Sequence, residues 1–240
     1  MLTLLRELQL LWEAEGKHDF AVANTACLLA ECLTDVKCDV DLTPGAPPLV
    51  PWKDTHGVRC SPPTKLQRPR AEDVAAQCPR MARVVGHLLK DEIFEALPWK
   101  APAQLSEHFT RIMGEGDECK LKSAMLVGDP AFGAFQESSR FYVGLMHMAP
   151  DAHYPAHCHD AREFYHLISG SAKWWRGGSA ESNGEGETVV LVPGELRHHA
   201  SQEPHGIDTG LDESVMCFYF WCGNLTGKYW FLEGVDTIVN

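Results

Sequence analysis

Leucines recur at helical spacing from the start of the chain. Leu4, Leu5, Leu8, Leu11 and Trp12 fall on one helical face and Arg6, Glu7 and Glu13 on the other, which predicts an amphipathic helix over residues 2–15. A second helix, rich in Ala and Leu, is expected from about Phe20 to Leu33. The stretch DLTPGAPPLVPWKDTHGVRCSPPTKLQRPR then loses periodicity and gathers prolines, the mark of an extended connection. Residues 71–97 read as helical again, with Val74, Met81, Val84, Val85, Leu88 and Leu89 as the apolar stripe and Pro98 as the stop.

The pattern changes near residue 120. KLKSAMLVGD, SRFYVGLMHM, REFYHLISGSAKWWRG, GETVVLVPG and ESVMCFYFWCG are short, rich in β-branched and aromatic residues, and punctuated by Gly, Pro and Asp. Strands at such even spacing predict a sandwich or small barrel. RGGSAESNGEGE reads as the solvated tip of an extended hairpin. The expected organisation is a helical N-terminal region over 1–100, with its proline-rich connection at 39–70, followed by a β-barrel domain over 101–240.

Composition narrows the function. A net charge of −12 leaves no electrostatic footprint for nucleic acid or anionic lipid; it is read first as serving solubility, with attraction of cationic small molecules as the lesser reading. Nine cysteines without a CxxC pair argue against a disulfide framework and a structural zinc knuckle and fit reduced thiols. The opening MLTLLRELQLLWEAEG is interrupted by Arg6, Glu7 and Gln9 and lacks a small-residue cleavage site, so it is not a signal peptide. No apolar run approaches a membrane span. A soluble, cytoplasmic protein is expected.

Chemistry concentrates in HYPAHCHDAREFYHLISG, residues 153–170. In an extended strand alternate side chains share a face, so His157 and His159 project together and Cys158 points away, outside the barrel. Glu163 follows across a turn or bulge at Asp160-Ala161, and Glu163 and Tyr165 share a face of the next extended piece. Two imidazoles and a carboxylate suit a first-row divalent ion with open positions. Buried without a metal, they would lack partners. A lone histidine in a strand is ordinarily a core or surface residue, and that reading is applied to His18, His56, His87, His108, His147, His153 and His166. His166 should face away from Glu163 and Tyr165.

The order H-x-H, three residues, E, six residues, G is met by His157, His159, Glu163 and Gly170, and it resembles the first motif of the cupin superfamily. Asp151 stands where that family has a glycine, at a turn position that other turn-formers fill. The second cupin motif, aligned on Gly194, places Ala200 at its proline, Gln202 at its glycine and His205 at its histidine. Two positions depart. His205 follows the SQEP turn and opens a strand, where the fourth ligand belongs; His199 is the alternative. A closer resemblance is to the cupin dimethylsulfoniopropionate (DMSP) lyases. It is carried by HYPAHCHDAREFYHLISGSAKWW, LPWKAPAQ, AMLVGDPAFGAF, FYVGLMHMAP and FYFWCGNL, and it covers roughly residues 96–226.

That resemblance implies a mainly β fold, a cupin β-barrel (double-stranded β-helix or jelly roll) with a helical N-terminal part. It implies a carbon–sulfur lyase that cleaves DMSP to dimethyl sulfide and acrylate by β-elimination. His157, His159, Glu163 and His205 match metal-site positions, Tyr165 and Tyr154 match tyrosines with base or substrate-positioning roles, and Trp221 matches a substrate-pocket aromatic. Iron, manganese, zinc, nickel and cobalt all suit such ligands.

The chemistry is coherent from the residues upward. A carboxylate's charge opposes forming a carbanion beside it, and a metal on that carboxylate offsets the charge. Tyr165 lies on the face of Glu163; a free phenol titrates near ~10, and a neighbouring cation favours the phenolate, a usable base. Tyr154 is the other candidate, of opposite parity to His157 in a regular strand, with Pro155 interrupting that regularity. A sulfonium group needs aromatic faces, which Tyr219 and Trp221 offer on one side of their strand, with Phe218 and Phe220 on the other. The expected partner is therefore a small zwitterionic substrate. The N-terminal helices are suited to cap the barrel mouth or to form a homodimer interface. Two other readings use the same ligands: a cupin Fe(II) dioxygenase acting on a small thiol or acid, and a non-catalytic metal- or ligand-binding cupin.

Overall fold

The structure is a computed structural model that describes residues 2–17, 20–34, 58–64, 67–102, 107–130, 134–177, 186–232 and 237–238. Helices α1 (Leu2–Glu15) and α2 (Phe20–Thr34) lead the chain. They are followed by α3 (Ala71–Gln77), α4 (Ala82–Leu88), α5 (Asp91–Phe94) and α6 (Glu107–Met113). No described helix is long and apolar enough to cross a membrane. Most of the 39–70 connection lies outside the described residues, as do His18, His56 and the hairpin tip at 178–185.

The expected single helix over 71–97 is broken. Pro79 has no N–H to donate and disfavours helical geometry in the residue before it. Accordingly Cys78 leaves the helical region (φ −137°, ψ 86°), and the chain restarts through a 3₁₀ turn at Pro79–Met81. The stripe survives the break: Val74, Met81, Val84, Val85 and Leu88 are buried, and Leu89 is half-buried.

Among the described residues there are fourteen short strands: β1 (Val58–Arg59), β2 (Lys100–Ala101), β3 (Leu121–Gly128), β4 (Gln136–Glu137), β5 (Phe141–Met148), β6 (His153–His159), β7 (Ala161–Ser169), β8 (Ala172–Arg176), β9 (Glu187–Leu191), β10 (Leu196–His199), β11 (His205–Thr209), β12 (Val215–Gly223), β13 (Tyr229–Phe231) and β14 (Thr237–Ile238). They form two mainly antiparallel sheets. One runs β1-β2-β3-β5-β12-β7-β10, with β4 beside β3; the other runs β14-β13-β6-β11-β8-β9. The architecture is mainly β, two mainly antiparallel sheets with a helical N-terminal part.

Alternation along the strands sorts two cores. Phe218 and Phe220 on β12 and Phe164 on β7 face the helices, in one hydrophobic cluster with Leu4, Leu5, Leu8 and Trp12 of α1. Between the sheets lie Met146, Tyr154, Tyr165, Leu167, Trp174, Ile207 and Cys217. Trp12 is fully buried, edge-on to Phe164 at 5.2 Å, and its Nε1–H donates to His166 Nδ1 at 3.2 Å. His166 thus faces away from Glu163, as alternation requires. Trp12→Ala should lower stability by about 3–5 kcal/mol, measured by denaturant titration; an unchanged midpoint would show that this ring does not hold the helical layer to the sheet.

Candidate metal centre

Backbone conformation at three turns sets the site. Gly170 closes β7 at φ +77°, where a Cβ would lie 2.2 Å from the Ser214 carbonyl oxygen. Asp151, before β6, and Gln202, before β11, take left-handed φ values of 53° and 62°. These are the two non-glycine residues standing where the cupin motifs carry glycine. Gln202 N–H donates to the His159 carbonyl at 2.8 Å, and its side chain donates to Asp160. The SQEP turn is thereby tied to the β6–β7 corner, and His205 enters β11 opposite His157.

Four ligand-type atoms from His157, His159, Glu163 and His205 lie within 4.8 Å of one another, and all four residues are buried. The backbone fixes their tautomers. His157 Nδ1 is 2.9 Å from the Pro155 carbonyl, His159 Nδ1 is 2.9 Å from the Ala161 carbonyl, and His205 Nδ1 is 2.8 Å from the Glu203 carbonyl. A carbonyl only accepts, so each Nδ1 carries the proton and each Nε2 turns a lone pair inward. Glu163 Oε2 sits 3.0 Å from His159 Nε2 and 3.1 Å from His205 Nε2, and His157 Nε2 has no hydrogen-bond partner. Converging acceptors with no proton between them repel unless a cation joins them. The donor set therefore fits a divalent transition metal ion held by three imidazoles and a carboxylate.

Electrostatics agree. Burial alone would raise the Glu163 carboxyl, but the imidazoles of His159 and His205 beside it outweigh burial and favour the carboxylate, the form a metal ligand needs. Burial, then His205 and His159, keep His157 neutral. Glu163 Oε1 also accepts the Trp221 Nε1–H at 2.5 Å, which orients the carboxylate. Trp221 lies over the His159 ring with centroids 4.2 Å apart.

Tyrosines line the remaining wall. Tyr165 shares the inner face of β7 with Glu163, packs on Trp174 at 4.8 Å, and is pushed well above the usual phenol range by burial and by the Glu163 charge. Tyr219 lies opposite Tyr165 in the β12–β7 register, half-buried. It crosses Gly144, where a Cβ would come within 2.4 Å of its ring. Tyr154 stacks on His157 at 4.3 Å. Opposite parity did not keep these two apart, because the β6–β11 register shifts between His157 and Tyr154. An irregular register at Pro155 turns the tyrosine inward.

Of the residues singled out from the sequence, His157, His159, Glu163 and His205 form one cluster, Tyr154 and Trp221 pack on its imidazoles, Tyr165 lies edge-on to His205, and Tyr219 pairs with Tyr165 in register. One neighbour went unassigned. Tyr229 on β13 hydrogen-bonds Tyr154 through the two hydroxyls at 2.7 Å and stacks on His157 at 5.2 Å; the alternation of Tyr229 and Phe231 was the available signal. His199, the alternative fourth ligand, lies next to the four-group cluster but outside it. Its ring stacks on His205 instead. Cys158 is a buried free thiol apart from the cluster, and Cys27, Cys60, Cys78, Cys119, Cys217 and Cys222 are free as well.

Comparison with known proteins places these features in context. Residues 102–216 match the family model for dimethylsulfoniopropionate lyase. Among solved structures, the DMSP lyase DddQ from Ruegeria pomeroyi DSS-3 is 19% identical, with 80% of this chain and 85% of that chain covered and a TM-score of 0.44. A structure from the pair of DMSP lyases RdDddP and RnDddQII is 18% identical, with 80% and 86% covered and a TM-score of 0.46. The polyketide cyclase RemF from Streptomyces resistomycificus is 20% identical, with 43% and 65% covered and a TM-score of 0.35. No curated protein matches the sequence.

Proposed function

We propose that the chain, whose residues 102–216 match the family model for dimethylsulfoniopropionate lyase, is a metal-dependent carbon–sulfur lyase that cleaves DMSP to dimethyl sulfide and acrylate. The observation that carries this reading is the gathering of three imidazoles and the Glu163 carboxylate at one buried point, inside the segment that matches that family model.

His157, His159, Glu163 and His205 would hold the ion, of iron, manganese, zinc, nickel or cobalt type. When bound it supplies positive charge that attracts the substrate carboxylate and offsets charge developing at the α-carbon. Tyr165 takes the α-proton. The electron pair of the broken C–H bond becomes the double bond of acrylate, and the pair of the Cβ–S bond leaves on sulfur as dimethyl sulfide. The balance is redox-neutral, and the proton passes from Tyr165 to solvent as product departs. Without a neighbouring cation, burial and Glu163 keep Tyr165 protonated, so its work as a base depends on a filled site. Tyr154, held by Tyr229, is the second tyrosine in reach and positions substrate. The faces of Trp221 and Tyr219 receive the sulfonium, a weakly hydrated cation that aromatic rings attract by roughly 0.5–2 kcal/mol per contact.

The deciding experiment is incubation of metal-reconstituted protein with DMSP under strictly anaerobic conditions, with dimethyl sulfide read by gas chromatography. Release of dimethyl sulfide with equimolar acrylate is expected. Turnover that requires oxygen would replace the lyase with a dioxygenase. No product with any of the five metals would leave only a binding role.

A further inference from the structure

His199 is the buried imidazole in which both ring nitrogens lack a hydrogen-bond partner among the described residues. Its direction is set by β10, where it stands opposite Glu163 in the antiparallel register with β7, so the two side chains share the inner face. Its ring is stacked on His205, centroids 4.1 Å apart and planes 17° apart, and edge-on to Tyr165 at 5.8 Å. Glu203 Oε2 is 3.9 Å from Nδ1, beyond hydrogen-bonding reach, and that oxygen already accepts the Ala200 N–H at 2.8 Å. Residue 199 is only 2% exposed, so bulk solvent does not reach it.

Folded proteins leave few buried polar groups unpaired. A neutral imidazole always has one N–H to give and one lone pair to share. His199 is not among the four residues whose ligand atoms gather within 4.8 Å of one another, which separates it from the ligand set. It does border both His205 and Tyr165, the groups that would face the acid end of a substrate on the lyase reading. A carboxylate there brings several lone pairs and so supplies what the N–H lacks.

We propose that His199 is a substrate-binding residue that donates one ring N–H to an oxygen of the substrate carboxylate and so fixes the acid end between β10 and the clustered imidazoles. The identity of the anion rests on the lyase reading of the same site. Hydrogen bonds to a charged acceptor are the strong ones, and one N–H here fixes orientation as well as affinity.

Cobalt(II)-loaded protein titrated with acrylate, followed by the cobalt d–d absorption and by calorimetry, tests this. His199→Phe should keep cobalt at wild-type stoichiometry and weaken acrylate roughly tenfold to a hundredfold. His199→Asn, which retains a donor, should recover part of the loss, and it serves as the working comparison if the phenylalanine variant does not fold. The KM for DMSP should rise in step with the acrylate Kd, with a smaller change in kcat. Three outcomes overturn the proposal: acrylate affinity unchanged in His199→Phe, cobalt lost together with the imidazole, or no acrylate binding by the wild type. The two readings fail separately. Acrylate binding that depends on His199 without DMSP cleavage keeps the anion site and removes the lyase. DMSP cleavage with acrylate binding indifferent to His199 does the reverse.

Discussion

Glu163→Ala should yield folded protein that binds no stoichiometric metal and releases no dimethyl sulfide from DMSP. The carboxylate is the only anionic member of the four-group cluster, and the Nε2 atoms of His159 and His205 both turn to its Oε2. Without it the three imidazoles present lone pairs with no charge to balance a dication. Charge stabilisation by a metal is worth several kcal/mol in the transition state, so the expected fall in kcat/KM is roughly a thousandfold or more. Glu163→Gln separates charge from shape. Its amide oxygen can still accept the Trp221 N–H, so the site should keep its form and still bind metal poorly. Metal content by plasma mass spectrometry and dimethyl sulfide by gas chromatography read both variants. Full metal occupancy with undiminished turnover in either would remove the cluster from the chemistry.

Tyr165→Phe should bind metal as the wild type does and lose about 10²–10⁴ in kcat, the usual contribution of a positioned general base. The ring stays packed on Trp174 and only the hydroxyl is removed, so stability and metal content are the controls. Tyr154→Phe is the necessary companion. Its hydroxyl is committed to Tyr229, and its loss should raise KM more than it lowers kcat. The reverse pattern, a dead Tyr154→Phe beside an active Tyr165→Phe, would transfer the base to Tyr154.

Much of the site was legible because strand alternation is strict. Spacing alone put Glu163 and Tyr165 on one face of β7 and Phe164 and His166 on the other, and the structure has the first pair at the cluster and the second pair against Trp12. The same rule separated Tyr219 and Trp221 from Phe218 and Phe220 on β12. Alternation misled where the backbone departs from regularity. Tyr154 reaches the face of His157 through the register shift at Pro155, a displacement that a two-residue period cannot express. The helix drawn through 71–97 overlooked Pro79, although a proline in mid-pattern is a local signal that sequence carries in full.

What the sequence by itself determined is the identity of each face: which side chains of a strand point together, which helical stripe is apolar, and that two imidazoles and a carboxylate belong to one centre. These are short-range consequences of backbone geometry, and they hold wherever the strand is placed. Only the tertiary structure decided which faces meet. β11 pairs with β6 and brings His205 to His157, β13 brings Tyr229 over the same ring, and β10 pairs with β7 and sets His199 beside them. Those meetings join residues some 36 to 72 positions apart in the chain, from His199 with Glu163 to Tyr229 with His157. Contacts at that separation are selected by the collective burial of two sheets and a helical layer, which no local periodicity encodes.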